Sequence, residues 1–213
     1  GTTATSSRMV VLKRAKVSNA SKFSNPVLWW EASQTFDKAA SVWLADLSGD
    51  DRVDLVVRQN GDGTGVRLKT AVTKSPLPGG MPRMGTYKMR WEDKSLIPSK
   101  VKMTVGDANR DGRDDVMLLV GGGGRAVVER LQGGKLGGFK RVKVWTAPKS
   151  DPIAVEKTRL AASDFDYDGR EDWVLFTKRG TGTRIRILEA RYDKVIAGPD
   201  WKVYIPWSEV RPL

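Results

Sequence analysis

Asp164-Phe165-Asp166-Tyr167-Asp168-Gly169-Arg170-Glu171-Asp172, running into Trp173-Val174-Leu175-Phe176, is the stretch on which the fold turns. Aspartates at alternate positions around a glycine describe a tight turn, and the apolar run after them describes a buried strand. The pattern recurs at Asp46-Leu47-Ser48-Gly49-Asp50-Asp51-Arg52-Val53-Asp54, before Leu55-Val56-Val57. It recurs again at Asp107-Ala108-Asn109-Arg110-Asp111-Gly112-Arg113-Asp114-Asp115, before Val116-Met117-Leu118-Leu119-Val120. The first aspartates, Asp46, Asp107 and Asp164, stand 61 and 57 residues apart, so the chain is a repeat.

Working outward, each loop is preceded by a strand-like segment, at 41–45, 100–105 and 158–162. Each apolar run is followed by a glycine-rich tract, at 61–65, 121–124 and 180–182, where a hairpin needs positive φ. A third strand is expected at 66–71, 125–131 and 184–189. A fourth ends in tryptophan: Lys88-Met89-Arg90-Trp91, Lys143-Val144-Trp145 and Tyr204-Ile205-Pro206-Trp207. A further copy of that ending, Val27-Leu28-Trp29-Trp30, precedes the first loop, with 9–13 as its third strand. No segment shows a helical period.

Four short antiparallel strands in a unit of about 60 residues form a blade, which hides its faces against the blades beside it. The expected fold is therefore all-β, with three full blades at about 38–97, 98–153 and 154–213 and a half blade at about 8–37. All belong to one repeat domain over 1–213. Such an arc is not a closed ring, which predicts a segment of a larger propeller, with missing blades or a second chain completing it. The alternative is a small four-bladed closure. The opening 1–8 lacks the apolar run of an export signal, and no window approaches the 18 or so apolar residues of a spanning helix.

With its loops and strands laid out, the chain resembles the FG-GAP or VCBS repeats of integrin α-subunit propellers and many secreted bacterial proteins. The periodicity of the resemblance runs from about 9 to 207, and its specific part is the three loops with the strand after each. In that family, loop positions 1, 3, 5 and 9 give side-chain oxygens to Ca²⁺ and position 7 gives its carbonyl. The resemblance thus implies Asp46, Ser48, Asp50, the Arg52 carbonyl and Asp54 as the first site. It implies Asp107, Asn109, Asp111, the Arg113 carbonyl and Asp115 as the second. The third is Asp164, Asp166, Asp168, the Arg170 carbonyl and Asp172, so up to three Ca²⁺ are expected.

The chemistry is compatible, because Ca²⁺ takes about 6 to 8 oxygen ligands and a tight loop with alternate oxygens can wrap it. An EF-hand also needs a bidentate Glu at loop position 12 and flanking helices, whereas the twelfth positions here are Val57, Leu118 and Leu175. Position 6, normally glycine, is Gly112 and Gly169, but Asp51 in the first loop, a residue that tolerates left-handed backbone. Ligand charge rises from the first loop to the third, and affinity is expected to follow.

There is no His, the commonest general base and zinc ligand, and no Cys. Catalysis is therefore not expected, although Tyr87, Tyr167, Tyr192 and Tyr204 remain as bases for a rival reading as a polysaccharide lyase or hydrolase. A purely structural segment is a third reading. Lys plus Arg number 37 against 25 acidic residues, a formal charge of +12, which favours an anionic partner. Basic residues gather at Lys13, Arg14 and Lys16, at Lys135, Lys140, Arg141 and Lys143, and at Arg179, Arg184 and Arg186. The leading expectation is an extracellular or cell-surface adhesion module, secreted and carbohydrate-binding, that contacts a glycan, an anionic cell-wall polymer or a protein. Nucleic acid is expected to bind only non-specifically. The in-phase Trp30, Trp91, Trp145 and Trp207 read as packing between blades, with Trp29, Trp43, Trp173 and Trp201 less regular.

Overall fold

The computed structural model describes residues 40–60, 65–75, 83–134, 138–192, 194–203, 206, 207 and 210, and the backbone of the strands within 7–32. Lys13, Lys135, the glycine-rich tract at 61–64, Tyr204 and Ile205 lie outside the described residues, as do the side chains of Arg14, Lys16, Trp29 and Trp30. Among the described residues eighteen strands follow one another in order, with two single 3-10 turns between blades.

The outer half blade is β1 (Ser7–Val11) paired with β4 (Val27–Ala32), with β2 (Arg14–Val17) and β3 (Ala20–Phe23) as a hairpin between them. The first full blade comprises β5 (Ser41–Ala45), β6 (Asp54–Asn60), β7 (Val66–Ala71) and β10 (Lys88–Asp93). Between its last two strands stands the small hairpin β8 (Thr73–Lys74) and β9 (Arg83–Met84). The second blade is β11 (Val101–Gly106), β12 (Asp115–Gly122), β13 (Arg125–Gly133) and β14 (Phe139–Thr146). The third is β15 (Thr158–Ser163), β16 (Asp172–Arg179), β17 (Gly182–Arg191) and β18 (Lys194–Val203). Every pairing is antiparallel, so the chain is three full blades and a half, as its repeat implies. No helix among the described residues is long and apolar enough to cross a membrane.

The unbroken apolar runs are explained by where the second strand of a blade sits. Successive side chains point to opposite faces, and each face of the middle blade meets a different neighbour. Val116, Leu118 and Val120 of β12 join Val56, Val66 and Leu68 of the first blade in one core. Met117 and Leu119 turn the other way and join Trp173, Leu175 and Leu188 of the third. Gly123 and Gly124, at φ 55 and 77, make the turn between β12 and β13, the left-handed pair that a two-residue hairpin requires.

The fourth strands correct one expectation. Trp91 faces Leu68, Trp145 faces Val128 and Trp30 faces Met9, each beside a one-residue bulge in the register. In the third blade the residue at this place is Trp201, opposite Ile185, and the fourth strand is Lys194–Val203 rather than a segment ending at Trp207. The turn at Tyr192 lets β18 follow β17 after very few residues, so the strand is spent before Trp207 is reached. Trp207 instead lies under the Arg159 guanidinium, 4.5 Å from the ring centre. Trp201 packs on Phe165 with ring centres 5.5 Å apart.

Leu118 is fully buried between blades, whereas Ile97 is 53% exposed in a connection. Leu118→Ala is expected to cost about 2–5 kcal/mol of unfolding free energy in urea titrations. Ile97→Ala should stay within about 0.5 kcal/mol of the parent.

Candidate metal centres

Each acidic loop joins the first strand of a blade to the second, and the three turns are built alike. The first aspartate folds the loop around its own carboxylate. Asp46 accepts backbone N–H bonds from Gly49 (2.7 Å), Asp50 (3.2 Å) and Asp51 (2.7 Å). Asp107 accepts from Asn109, Asp111 and Gly112, and Asp164 from Asp168 and Gly169. This wrap forces left-handed backbone at loop position 6, with φ 59 at Asp51, 76 at Gly112 and 83 at Gly169, so Asp51 does stand in for glycine. Position 4 is left-handed too, at Gly49, Arg110 and Tyr167, a requirement that the mixed residue types hide.

The fifth position accepts the backbone N–H of the seventh: Asp50 from Arg52 (3.1 Å), Asp111 from Arg113 (3.0 Å) and Asp168 from Arg170 (2.9 Å). The same arginines also turn their guanidinium groups back onto that carboxylate. Arg113 and Arg170 reach Oδ2 at 3.0 Å, and Arg52 pairs with Asp50 likewise. Third positions lie beside the fifth or the first. Ser48 Oγ donates to Asp46 at 3.4 Å, and Asn109 Nδ2 donates to Asp111 at 3.2 Å. Asp164, Asp166 and Asp168 bring one carboxylate oxygen each within 4.8 Å of the others. Arg191 contacts two of them, Asp166 at 2.8 Å and Asp168 at 2.7 Å, and so offsets the extra negative charge of this loop.

Ninth positions are a different environment, fully buried at the start of the second strand. Their Oδ1 accepts a backbone N–H from the end of the third strand or just past it: Thr73, which opens β8, to Asp54 (2.7 Å), Gly133 to Asp115 (2.9 Å) and Ala190 to Asp172 (2.8 Å). The second oxygens diverge. Asp172 Oδ2 accepts from Phe165 N–H at 3.0 Å, which leaves this residue outside the Asp164, Asp166 and Asp168 cluster. Asp115 Oδ2 is buried with no hydrogen-bond partner among the described residues, although Arg130 Nε stands 3.6 Å away, and Asp54 Oδ2 is buried with only a weak approach from the Leu47 N–H. An unpaired buried carboxylate oxygen costs free energy unless something satisfies it.

Burial, with the negative charge of the loop's own aspartates added, pushes Asp54 up to about 6 and Asp115 up to about 7. Asp172 is raised by the same causes. The ninth carboxylate therefore feels the first and fifth in the first two loops and the third and fifth in the third, and each loop concentrates negative charge that a cation would relieve. Among the described residues, only Asp164, Asp166 and Asp168 of the third loop gather with the spacing a hard divalent cation needs, and the carboxylates of positions 1, 5 and 9 do not gather so in the first two loops; at position 5 an ion would compete with the loop arginine for Oδ2.

The eighth position carries a role that composition alone does not single out. Asp114 N–H donates to the Asp46 carbonyl at 2.7 Å, while Asp114 Oδ2 accepts from Asp46 N–H at 2.7 Å. Glu171 N–H donates to the Asp107 carbonyl at 3.0 Å, and Arg110 donates to the Asp168 carbonyl at 2.9 Å. Consecutive loops are thus bonded to one another across the blade interfaces. Of the expected basic residues, Arg141 is paired with Asp93 and Glu129, and Arg184 and Arg186 with Asp151 and Asp200. These arginines are committed to ion pairs, whereas Lys140 is exposed.

No protein-family model matches the chain, and the search of curated proteins found no match. Among solved structures, one titled for the specific recognition of non-reducing terminal N-acetylglucosamine by an Agrocybe aegerita lectin superposes with a TM-score of 0.40 at 15% identity. The superposition covers 93% of this chain and 66% of that one.

Because Asp54, Asp115 and Asp172 are raised above the ordinary 3.8, the folded chain holds protons that the unfolded chain has released. Their stabilisation is complete below pH 3.8 and is lost as pH rises through about 6 and 7. Asp151, lowered to about 2 by hydrogen bonds from Arg184, changes its contribution only below pH 4. In chelator, the urea midpoint should therefore fall between pH 4 and 7, less steeply in Asp115→Asn. A midpoint that rises over that window contradicts the reading.

Proposed function

We infer that this chain is a calcium-stabilised binding module without catalytic function, of the FG-GAP or VCBS repeat kind, acting outside the cell on an anionic glycan or cell-wall polymer. The observation that carries the metal half is the third loop, where Asp164, Asp166 and Asp168 bring one carboxylate oxygen each within 4.8 Å of the others; Asp115 Oδ2, buried with no hydrogen-bond partner among the described residues, supports it in the second. In this reading Asp46, Ser48, Asp50, the Arg52 carbonyl and Asp54 hold one Ca²⁺. Asp107, Asn109, Asp111, the Arg113 carbonyl and Asp115 hold a second. Asp164, Asp166, Asp168, the Arg170 carbonyl and Asp172 hold a third.

Bound Ca²⁺ supplies positive charge to clustered carboxylates and couples folding to metal. The protein's own work is to set the loops: the first aspartate closes each turn, the ninth ties it to the blade, and the eighth joins it to the loop before. The binding half rests on the formal charge of +12. Rigid blades present that charge as a fixed surface, suited to a polyanion that offers many weak contacts.

Thermal melts in excess Ca²⁺ and in EGTA test the metal half. An ion bound only by the folded chain raises the midpoint by several degrees at about 100 times its Kd. Asp168→Ala should shrink the difference between the two melts, and equal midpoints for the parent chain in both buffers would contradict the reading.

A further inference from the structure

We propose that the cavity at the turn between β16 and β17 is a subsite for the acidic group of an anionic saccharide. This rests on the binding-module reading above and gives it a place on the molecule. The cavity, of about 590 Å³, is lined by Arg179, Thr181, Gly182, Thr183, Arg184, Lys202 and Val203. That volume falls in the range of small-ligand sites and suits one or two sugar rings.

Its construction sorts the cations into two groups. Arg184 is fixed: Nε binds Asp200 at 2.8 Å, while Nη1 and Nη2 bind Asp151 at 2.8 and 3.0 Å. Arg186, two residues on and on the same face of β17, pairs with the same two carboxylates and is itself buried. The pairing lowers Asp151 to about 2 and lowers Asp200. This network gives the cavity a stiff, permanently charged wall. Arg179 is the opposite case, with its side chain 52% exposed and, among the described residues, only long contacts, 3.5 Å to the Pro152 carbonyl and 3.7 Å to Asp151.

Lys202 lies opposite Arg184 in the register, is exposed, and has no ion pair among the described residues. Thr181 is exposed in the turn itself. A side chain at Gly182 would stand 3.0 Å from the Val203 carbonyl, so glycine keeps this wall open. Three guanidinium groups, Arg179, Arg184 and Arg186, thus share two carboxylates, Asp151 and Asp200, while Lys202 adds a fourth positive charge, and the surplus falls on the two exposed cations, Arg179 and Lys202. A carboxylate or sulfate ester takes a guanidinium and an ammonium as charge-assisted donors, and Thr181 and Val203 flank the ring that carries it.

The test uses the full chain in Ca²⁺ buffer at roughly 0.15 M salt, so that diffuse attraction is screened. Calorimetry with an oligogalacturonate and with a heparin oligosaccharide distinguishes carboxylate from sulfate as the bound group, and maltohexaose serves as the neutral control. The double variant Arg179→Ala/Lys202→Ala should weaken binding of the preferred probe by about tenfold. Arg83→Ala/Lys88→Ala, which removes the same charge from exposed positions on the first blade, should change it by less than about twofold. Equal losses in the two variants overturn the cavity and leave the binding-module reading standing. Maltohexaose bound as tightly as the acidic probes overturns the anionic preference. No binding of either acidic probe by the parent chain overturns the subsite together with the glycan reading.

Discussion

The rest of the structure depends on one hydrogen bond made three times: a buried aspartate at the start of the second strand accepts a backbone N–H at the end of the third or just past it. Asp54, Asp115 and Asp172 do this in successive blades. The bond ties loop, second strand and third strand at one point, so the turn cannot drift relative to the sheet. It also places a carboxylate where water cannot reach it, and burial then raises its pKa. A loop held this firmly keeps its remaining aspartates crowded, which gives it an affinity for positive charge. Arginine answers part of that demand from within each loop, and in the third loop Arg191 adds to it. The rise in calcium affinity expected from carboxylate count alone is therefore opposed where the count is highest.

The loops also carry the assembly of blades. Asp114 and Glu171 bond backward to the loop before, and Arg110 bonds forward to the loop after. Beneath these bonds lie two apolar cores, each shared between neighbouring blades, with β12 contributing alternate residues to both. A quasi-linear stack of this kind gains stability interface by interface, so charge in the loops and packing below them act on the same joints. At the third blade the positions that Leu47 and Ala108 fill in the earlier blades are taken by Phe165, which is 44% exposed, with Trp201 beside it at 40%.

Most of this architecture was legible because the loop motif is rigidly phased with the strands around it. The apolar runs after Asp54, Asp115 and Asp172 marked central strands, and Gly123-Gly124 marked a hairpin. The misplaced fourth strand at Trp207 has a specific cause. Tryptophan marks the period in the other blades, and the third offers two, Trp201 and Trp207, separated by too little sequence to choose between without the register opposite Ile185. The side-chain role of Arg52, Arg113 and Arg170 has a trace in the sequence, arginine at the seventh position of every loop, but a motif that calls for a carbonyl there is met by any residue type. The bonds of Asp114 and Glu171 were not legible, since Val53 occupies the same place in the first loop and the pairing runs between blades.

The central claim is that the three loops are cation sites, and counting the ions tests it most directly. Calorimetric titration of metal-free protein with CaCl₂ should saturate at three ions per chain, and at two for Asp115→Asn. Saturation with no ion bound, or a count unchanged by that substitution, would contradict the account and leave the loops as turns closed by their own arginines.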